Sequence, residues 1–408
     1  MEPFNLRHLR AFWQVAESGS ISAASEEVYL SQPAITQALA KLERTLGPRL
    51  FVRKSTGMFL TEAGRIMYRR VDRALSILAD GARLAARNAG RRKNGGFQSF
   101  DRLLTTVQLR AFLTLAETGN YSWAARQLGV SPPSIHRAIN DLERISGFAL
   151  FKKTAQGFKP TELGDAFRRH VLLAFAELRQ GLEEIDLALG SDTAVITVGS
   201  LPLARSFILP TAINRLTAIR RDLRIVIRDG AYTDLLTALR YGEIDILIGA
   251  LRSPLPADDV EQEALYTDQL SIAARADHPL AGRNDLDASR LTQFPWVTPS
   301  PSIPTREHFE ALFAAAGLEA PARLVETSSL ILIRGLLVGS DRLTIISRHQ
   351  ISSELESGVL TTINYPLDGS ERQIGITTRR GFSPTPSQSA FVQMLRDVCA
   401  EQQRATIR

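Results

Sequence analysis

Apolar side chains recur at helical spacing near the start of the chain and predict a first helix with one apolar stripe. The stripe consists of Leu9, Phe12, Trp13 and Ala16, and it ends at Ser18-Gly19, a pair that favours a helix C-terminus. A second, short helix is predicted around Ser22–Val28. A third is predicted to begin at Ser31, which suits an N-cap, with Pro33 in its first turn.

The third predicted helix has two distinct faces. It would bury Ile35, Leu39 and Leu42, and it leaves a polar face of Gln32, Thr36, Gln37, Ala40 and Lys41. The segment Leu50–Leu60, with Gly57 at its turn, favours a β-hairpin. Three helices and a hairpin predict a winged helix-turn-helix, whose third helix fits the major groove of DNA. A small helical bundle used for protein contacts is the alternative.

The same pattern occurs a second time, one hundred residues further on. Between residues 9–64 and 109–164, 23 of 56 aligned positions are identical without a gap, which indicates a duplicated domain. The second copy has Ser131 as the predicted cap, followed by Pro132-Pro133. Its predicted buried positions are Ile135, Ile139 and Leu142.

A longer helix follows each hairpin and has small or apolar residues spaced 4-3-4-3-4. The two series are Met67, Val71, Ala74, Leu78, Gly81, Ala85 and Phe167, Val171, Ala174, Leu178, Gly181, Ile185. This seam is typical of a coiled coil, so each long helix is a candidate dimerisation element. Packing against its own domain is the alternative. Between the copies, "NAGRRKNGGFQS" indicates a basic, flexible linker.

Alternating strands and helices begin after Thr193. The runs "AVITVGS", "LRIVIRDG" and "IDILIGAL" have strand length and indicate βαβ units in a mostly parallel sheet. Four later runs, "LSIAARA", "FPWVTPS", "LTIISR" and "RQIGITTRR", supply a second lobe, and a helix over roughly Ser387–Gln403 closes the domain. The pattern predicts two α/β lobes with a cleft.

Ligands of such sheets bind beyond the carboxyl ends of the strands, often at helix N-termini. This rule selects a set of candidate effector-binding residues: Ser200, Leu201, Pro202, Ala231, Tyr232, Arg252, Thr298, Pro299, Ser328 and Ser329. Hydroxyl groups suit an anion or a polyol, and Arg252 suits a carboxylate. Ordinary helix capping is the alternative for each serine and threonine.

Composition excludes several classes of protein. The single cysteine, Cys399, excludes an internal disulfide framework and favours a reducing cytoplasm, and the six histidines lack metal-ligand spacing. We expect neither a signal peptide nor a membrane span, since the apolar run "LILIRGLLVG" is short and contains Arg334. No common catalytic or nucleotide-binding motif is present, so we expect no enzyme activity, no cofactor and no metal.

The positive charge is concentrated at one end of the chain. Residues 1–100 carry a net charge of +8, residues 101–190 carry +1, and residues 191–408 carry −3. A basic N-terminal part indicates a polyanionic partner, nucleic acid rather than membrane. A solvated basic face without a partner is the alternative.

These features together resemble one family. The stretch "GSISAASEEVYLSQPAITQALAKLERTLGPRLFVR" with "LTEAG" resembles the DNA-binding domain of LysR-type transcriptional regulators. "TVGSLP", "GEIDILIGALRSP", "HPLAG" and "SDRLTIIS" are similar to that family's effector domain, whose fold is like that of periplasmic solute-binding proteins, and are closest to the galactose-binding-protein-regulator group.

The resemblance implies roles for particular residues. Ser31, Gln32, Pro33, Thr36 and Gln37 would start the recognition helix, with Lys41 further along its polar face and Arg53 and Lys54 facing phosphates. The first long helix would pair two subunits, and Ser200, Thr298 and Ser329 would contact the effector.

The second copy departs from the family pattern. Typical members have one DNA-binding domain; here there are two, and in the second copy Pro132 and Asp141 replace Gln32 and Lys41. Because fewer phosphates are neutralised, DNA binding by this copy should be weaker. His136, Arg137 and Asn140 nevertheless occupy positions suited to base contacts, and Lys152 and Lys153 suit phosphate contacts on the hairpin.

The sequence therefore predicts a multidomain protein with the following parts: helix-turn-helix domains at 4–61 and 104–161, long helices at 62–90 and 162–190, a linker at 91–103 and an effector domain at 191–408. We interpret it as a cytoplasmic, ligand-responsive regulator that binds duplex DNA as a homodimer or tetramer. The effector would be a sugar, a sugar acid or an aromatic carboxylate. A solute-binding or interaction protein is the main alternative, and an enzyme or an RNA-binding protein is less favoured.

Overall fold

Three short helices and a hairpin occur twice in the N-terminal part of the computed structural model, which describes residues 4–88, 99–301 and 303–407. The first copy consists of α1 (Leu6–Ser18), α2 (Ile21–Glu27), α3 (Gln32–Leu46), β1 (Phe51–Lys54), β2 (Gly57–Leu60) and the long helix α4 (Glu62–Asn88). The second consists of α5 (Thr106–Thr118), α6 (Tyr121–Leu128), α7 (Pro132–Ser146), β3 (Phe151–Thr154), β4 (Gly157–Pro160) and the long helix α8 (Glu162–Ala188).

Side-chain caps fix where the short helices of the first copy begin. Asn5, Ser20 and Ser31 are the N-caps of α1, α2 and α3, and each side chain accepts a hydrogen bond from a backbone N–H in the first turn. Helix α1 ends at Gly19, which has φ = 65°, in the left-handed region that glycine enters without strain. The sequence therefore determines these boundaries locally.

Two repeated side chains tie each hairpin to the helices beside it. The Glu43 carboxylate accepts a hydrogen bond from the Leu50 N–H at 2.8 Å. The Thr61 hydroxyl accepts from the Gly64 N–H at 3.0 Å and donates to the Arg49 carbonyl at 2.7 Å. The second copy makes the same three bonds with Glu143, Leu150, Thr161, Gly164 and Ala149.

The two long helices pack against each other. Every seam position predicted on α4 and α8 is buried, and one hydrophobic core extends through both copies. Built on Gly81, a Cβ would overlap the His170 side chain; on Gly181 it would lie 3.1 Å from the Arg70 side chain. Since 81 and 181, and 70 and 170, are equivalent positions, the two copies are related by an approximate two-fold axis.

This arrangement corrects one expectation about the first long helix. The resemblance implied that it pairs two subunits, whereas in the structure its apolar seam is covered by α8 of the same chain. The physical reason is that both helices carry the same seam in the same register, so the duplication itself supplies the partner.

The predicted linker at 91–103 ends in a short helix. Residues 91–98 lie outside the described residues, whereas Phe100–Leu103 form a short 3₁₀ helix. The Phe100 ring is fully buried, 5.5 Å from the ring of Phe167 and 6.1 Å from that of Phe148. The last part of this segment thus belongs to the core of the second copy.

The C-terminal part is an α/β domain. Its elements are β5 (Val195–Ser200), α9 (Ile208–Ile219), β6 (Arg224–Asp229), α10 (Tyr232–Arg240), β7 (Ile246–Ala250), β8 (Val260–Arg275), α11 (Ala288–Thr292), β9 (Trp296–Thr298), α12 (Thr305–Ala315), β10 (Leu324–Glu326), α13 (Leu330–Val338), β11 (Leu343–Ser347), α14 (Ser352–Glu356), β12 (Leu360–Ile363), β13 (Glu371–Arg379) and α15 (Pro386–Ile407).

The strands form one mixed sheet with the order β10-β9-β11-β8-β13-β7-β5-β6, and β12 pairs with β8. Strand β5 pairs with β7 in parallel, and β9 pairs in parallel with both β10 and β11. The antiparallel strands β8 and β13 cross between these two groups. The ends of the parallel strands are therefore where a ligand site is expected.

Candidate DNA-binding and effector sites

The polar face of α3 is presented to solvent in the first copy. Six of the predicted DNA-binding residues on and before this helix are exposed: Ser31, Gln32, Pro33, Thr36, Gln37 and Lys41. The opposite face is buried through Ile35, Ala38, Leu39 and Leu42. The helix is thus held by its apolar face while its polar side chains remain available to a partner.

A groove of about 1090 Å³ separates this helix from the hairpin. On the helix side it is lined by Gln32, Thr36 and Gln37, and on the hairpin side by Arg53 and Lys54. Both basic side chains are exposed. The groove thus has amide and hydroxyl groups on its helix side and cations on its hairpin side.

The second copy has the same framework with different exposed chemistry. Arg137, Asn140, Lys152 and Lys153 are exposed. The ring of His136 stacks on that of Tyr121, with centroids 3.6 Å apart and planes 9° apart, so this side chain is already held by a neighbour. Asp141, which replaces a lysine of the first copy, pairs with Arg144 at 3.3 Å.

The predicted effector residues of the first lobe meet at the ends of β5, β6 and β7. Ser200 is buried, its hydroxyl donates to the Leu201 carbonyl at 3.2 Å, and the Leu201 N–H donates to the Ile248 carbonyl at 2.9 Å. The Arg252 guanidinium lies 4.6 Å from the centre of the Tyr232 ring. Two further residues of the set are exposed nearby, Pro202 and Ala231.

The predicted residues of the second lobe meet at the ends of β9 and β10. Arg306, which the sequence analysis missed, donates to the Thr298 hydroxyl at 3.0 Å and to the Pro299 carbonyl at 3.3 Å. Ser329 is the N-cap of α13, and Ser328 before it is exposed. Within its own helix Arg306 pairs with Glu310 at 2.8 Å, which is an ordinary i,i+4 ion pair, and the contacts that place it at the strand ends come from other elements.

A buried carboxylate at the crossing strands was also missed. Asp268 is completely buried and accepts hydrogen bonds from Ser347, from His349 Nδ1 at 2.9 Å and from Arg372 Nε at 2.9 Å. Burial by itself would raise the pKa of Asp268, but the bonds from His349 and Ser347 and the charge of Arg372 lower it below the usual range. The carboxylate therefore stays ionised and joins β8, β11 and β13.

The single cysteine is not a reactive group. Cys399 is buried, and burial raises the pKa of its thiol to about 12. Since the thiolate is the nucleophilic form, this side chain is inert toward oxidants. Within the described ranges, no cluster of three or more His, Cys, Asp or Glu side chains could hold a metal ion, and no helix is long and apolar enough to cross a bilayer.

Two family models match this chain. The model for the LysR substrate binding domain matches residues 190–400, and the model for the bacterial regulatory helix-turn-helix protein of the lysR family matches twice, at residues 6–65 and 106–165. The chain belongs to the LysR family of transcriptional regulators. It is a ligand-responsive DNA-binding regulator, as predicted, and not an enzyme.

Three curated regulators are similar to this chain over different shares of its length. The HTH-type transcriptional regulator GalR of Pseudomonas putida is 36% identical over 398 residues, 98% of both chains. The uncharacterised regulator YdcI of Escherichia coli is 28% identical over 69% of this chain and 91% of its own. The regulator PcaQ of Agrobacterium fabrum is 26% identical over 74% of this chain and 97% of its own. The alignment with GalR is long enough to span both helix-turn-helix copies.

Solved structures share the fold. A full-length variant of OxyR from Pseudomonas aeruginosa is 23% identical, with 72% of this chain and 94% of that chain covered and a TM-score of 0.53. The full-length regulator LysG from Corynebacterium glutamicum, solved with bound arginine, is 18% identical, with 72% and 98% covered and a TM-score of 0.53. Regulators of this family bind DNA operators and small-molecule effectors and act as oligomers.

Proposed function

We propose that the first helix-turn-helix copy, residues 4–61, recognises operator DNA through the polar face of α3. Gln32, Thr36 and Gln37 would reach base edges in the major groove, and Arg53 and Lys54 would contact phosphates on either side. The observation that supports this is the groove between α3 and the hairpin, which is lined by all five side chains. An amide side chain suits adenine, and a guanidinium on the hairpin suits a phosphate.

The experiment starts from duplex DNA that the full-length protein selects from a randomised pool. On the selected duplex, Gln37→Ala should cost about 1–3 kcal/mol of binding free energy and relax the preference at one position. Arg53→Ala should weaken binding to all sequences and reduce the slope of log affinity against log salt by about 1. Arg83→Ala, on the exposed side of α4, is the control. Unchanged affinity in both test variants would contradict the proposal.

The effector that we propose carries a carboxylate, as a sugar acid or an aromatic carboxylate does. Arg252, held against the Tyr232 ring, supplies a cation at the strand ends of the first lobe. The second lobe contributes the N-terminus of α13, a nine-residue helix whose first N–H groups and cap residue Ser329 favour an anion. A neutral sugar would form hydrogen bonds with the hydroxyl groups of the site, but it would gain no electrostatic attraction from Arg252 or from the N-terminus of α13.

Thermal unfolding of the full-length protein tests the class of effector. Galactonate or benzoate should raise the melting temperature more than galactose does, because only these two carry a carboxylate that can pair with Arg252. A ligand at one hundred times its Kd adds about 2.7 kcal/mol of stability. Arg252→Ala should remove the shift, and Arg283→Ala, an exposed arginine elsewhere in the domain, should retain it. A shift with galactose alone, or with none of the three, would contradict this class.

We propose further that the effector domain at 191–408 acts on the two helix-turn-helix domains through the long helices, in a cytoplasmic homodimer or tetramer. Because the seams of α4 and α8 cover each other, subunits would associate through other surfaces. The second copy, residues 104–161, would lengthen the operator footprint or let a dimer make contacts that otherwise need a tetramer.

A further inference from the structure

The contact between α4 and α8 is unequal on its two sides. On one side, Arg70 is only 3% exposed, and its guanidinium donates to Glu177 at 2.6 Å, to Gln180 at 2.9 Å and to Glu184. On the other side, the equivalent residue His170 packs its ring against Gly81. Equivalent positions on the two long helices are therefore occupied differently. Arg70 of α4 forms ion pairs with α8, whereas His170 of α8 packs against a glycine of α4.

This inequality favours pairing between unlike helices. The positions of α4 equivalent to Glu177, Gln180 and Glu184 are Ile77, Asp80 and Leu84. A pair of two α4 helices would thus surround Arg70 with two apolar residues and one acid. A pair of two α8 helices would bury both glutamates opposite histidines. Removing one partner of a buried ion pair costs several kcal/mol, so both like pairs are disfavoured.

The two helices that face DNA are also unlike. The polar face of α3 carries Thr36, Gln37, Ala40 and Lys41, and the equivalent face of α7 carries His136, Arg137, Asn140 and Asp141. Arginine favours guanine and asparagine favours adenine in the major groove, whereas the first copy offers glutamine and threonine. An identical pair related by a two-fold axis recognises a palindrome. An unlike pair lacks that symmetry.

We propose that each chain carries a complete, unlike pair of DNA-recognition domains, and that this pair binds two half-sites of different sequence in a fixed order. The operator unit is then not palindromic. This inference rests on the proposed function of the first copy and extends it to the second, with Arg137 and Asn140 as its base-contacting residues. The ionic cluster at Arg70 is the device that selects the unlike pair.

Selection from a randomised duplex pool by the full-length protein tests this. The wild type should enrich two different half-sites at one spacing. Gln37→Ala should lose the preference in one half only, and the double variant Arg137→Ala, Asn140→Ala should lose it in the other half only. All three residues are exposed, so the melting temperatures of these variants should match that of the wild type. The control variant Arg83→Ala should select the same DNA sequence as the wild type.

Two other results would overturn the inference in distinguishable ways. A palindromic sequence that is selected equally by the wild type and by the double variant would show that only the first copy recognises bases, and the proposed function would stand. A failure of the wild type to enrich any sequence would overturn the inference and the proposed function together.

Discussion

The two helix-turn-helix copies share the residues that hold the fold together and differ on the exposed face of the third helix. Glu43 and Glu143 hold the start of each hairpin with the same hydrogen bond, at 2.8 and 2.7 Å. Gln37 and Arg137 occupy equivalent exposed positions with different chemistry. The residues repeated after duplication are those that dock the hairpin on its helices, while the exposed face of the third helix has diverged. Fold and recognition are therefore carried by separate sets of residues.

The long helices show the same division within one contact. Their apolar seams are equivalent and buried on both sides, yet Arg70 meets two glutamates while His170 meets a glycine. The seam explains why the helices pair, and the polar cluster explains which helices pair.

The largest expected effect comes from removing the ionic cluster. Arg70→Met leaves Glu177 and Glu184 buried without their main partner, which costs about 3–5 kcal/mol. We expect the lower end of this range because Arg73 still donates to Glu177 at 2.9 Å. Urea unfolding followed by far-UV circular dichroism measures the loss.

Two further variants make this prediction specific. Arg83→Ala removes an exposed ion pair from the same helix and should change stability by less than about 1 kcal/mol. The triple variant Arg70→Met, Glu177→Gln, Glu184→Leu should regain most of the lost stability, because no charge is left buried alone. Equal losses in Arg70→Met and Arg83→Ala would mean that the cluster does not stabilise the pair.

A smaller effect tests whether the two frameworks are equivalent. A Cβ on Gly64 would overlap the carbonyl oxygen of Leu50, and one on Gly164 would overlap that of Leu150. Backbone cannot move aside as a flexible side chain can, so each Gly→Ala change should cost about 1–3 kcal/mol, and the two costs should be alike. Urea unfolding of the two single variants checks this; a cost in one copy only would show that the frameworks have diverged.

The smallest expected effect is a dependence of folding stability on pH. It comes from His170, on the side of the α4–α8 contact that lacks the ionic cluster. Burial lowers the pKa of His170, with smaller opposing contributions from its bond to the Ala166 carbonyl and from Asp80, and a further lowering by Arg169. The His170 side chain is therefore protonated at a higher pH in the unfolded chain than in the folded chain. Stability should fall as pH drops below about 6.5, the ordinary histidine pKa.

His170→Gln removes this titration while retaining a side chain of similar reach. The wild type should lose more stability than the variant between pH 7.5 and pH 5.5, as measured by urea unfolding at both values. The other histidines contribute equally to both proteins and cancel in the comparison. Parallel losses would mean that the site does not titrate in this range.

Much of the fold could be predicted because its signals are local. The second helix, predicted around Ser22–Val28, spans Ile21–Glu27, since its cap lies beside it in the sequence. The partner of each long helix could not be predicted, because a seam specifies an apolar partner without saying which chain supplies it. The cluster around Asp268 could not be found either, since its members lie far apart along the chain and only the sheet brings them together.

Covalent connection of α4 to α8 changes how pairing depends on the amount of protein. Two separate chains must find each other, so their association weakens on dilution, whereas two segments of one chain meet at an effective concentration of about millimolar. The two unlike recognition helices are also always made in equal numbers, because one messenger encodes both. A cell with only a few molecules of this regulator would therefore keep every recognition pair assembled.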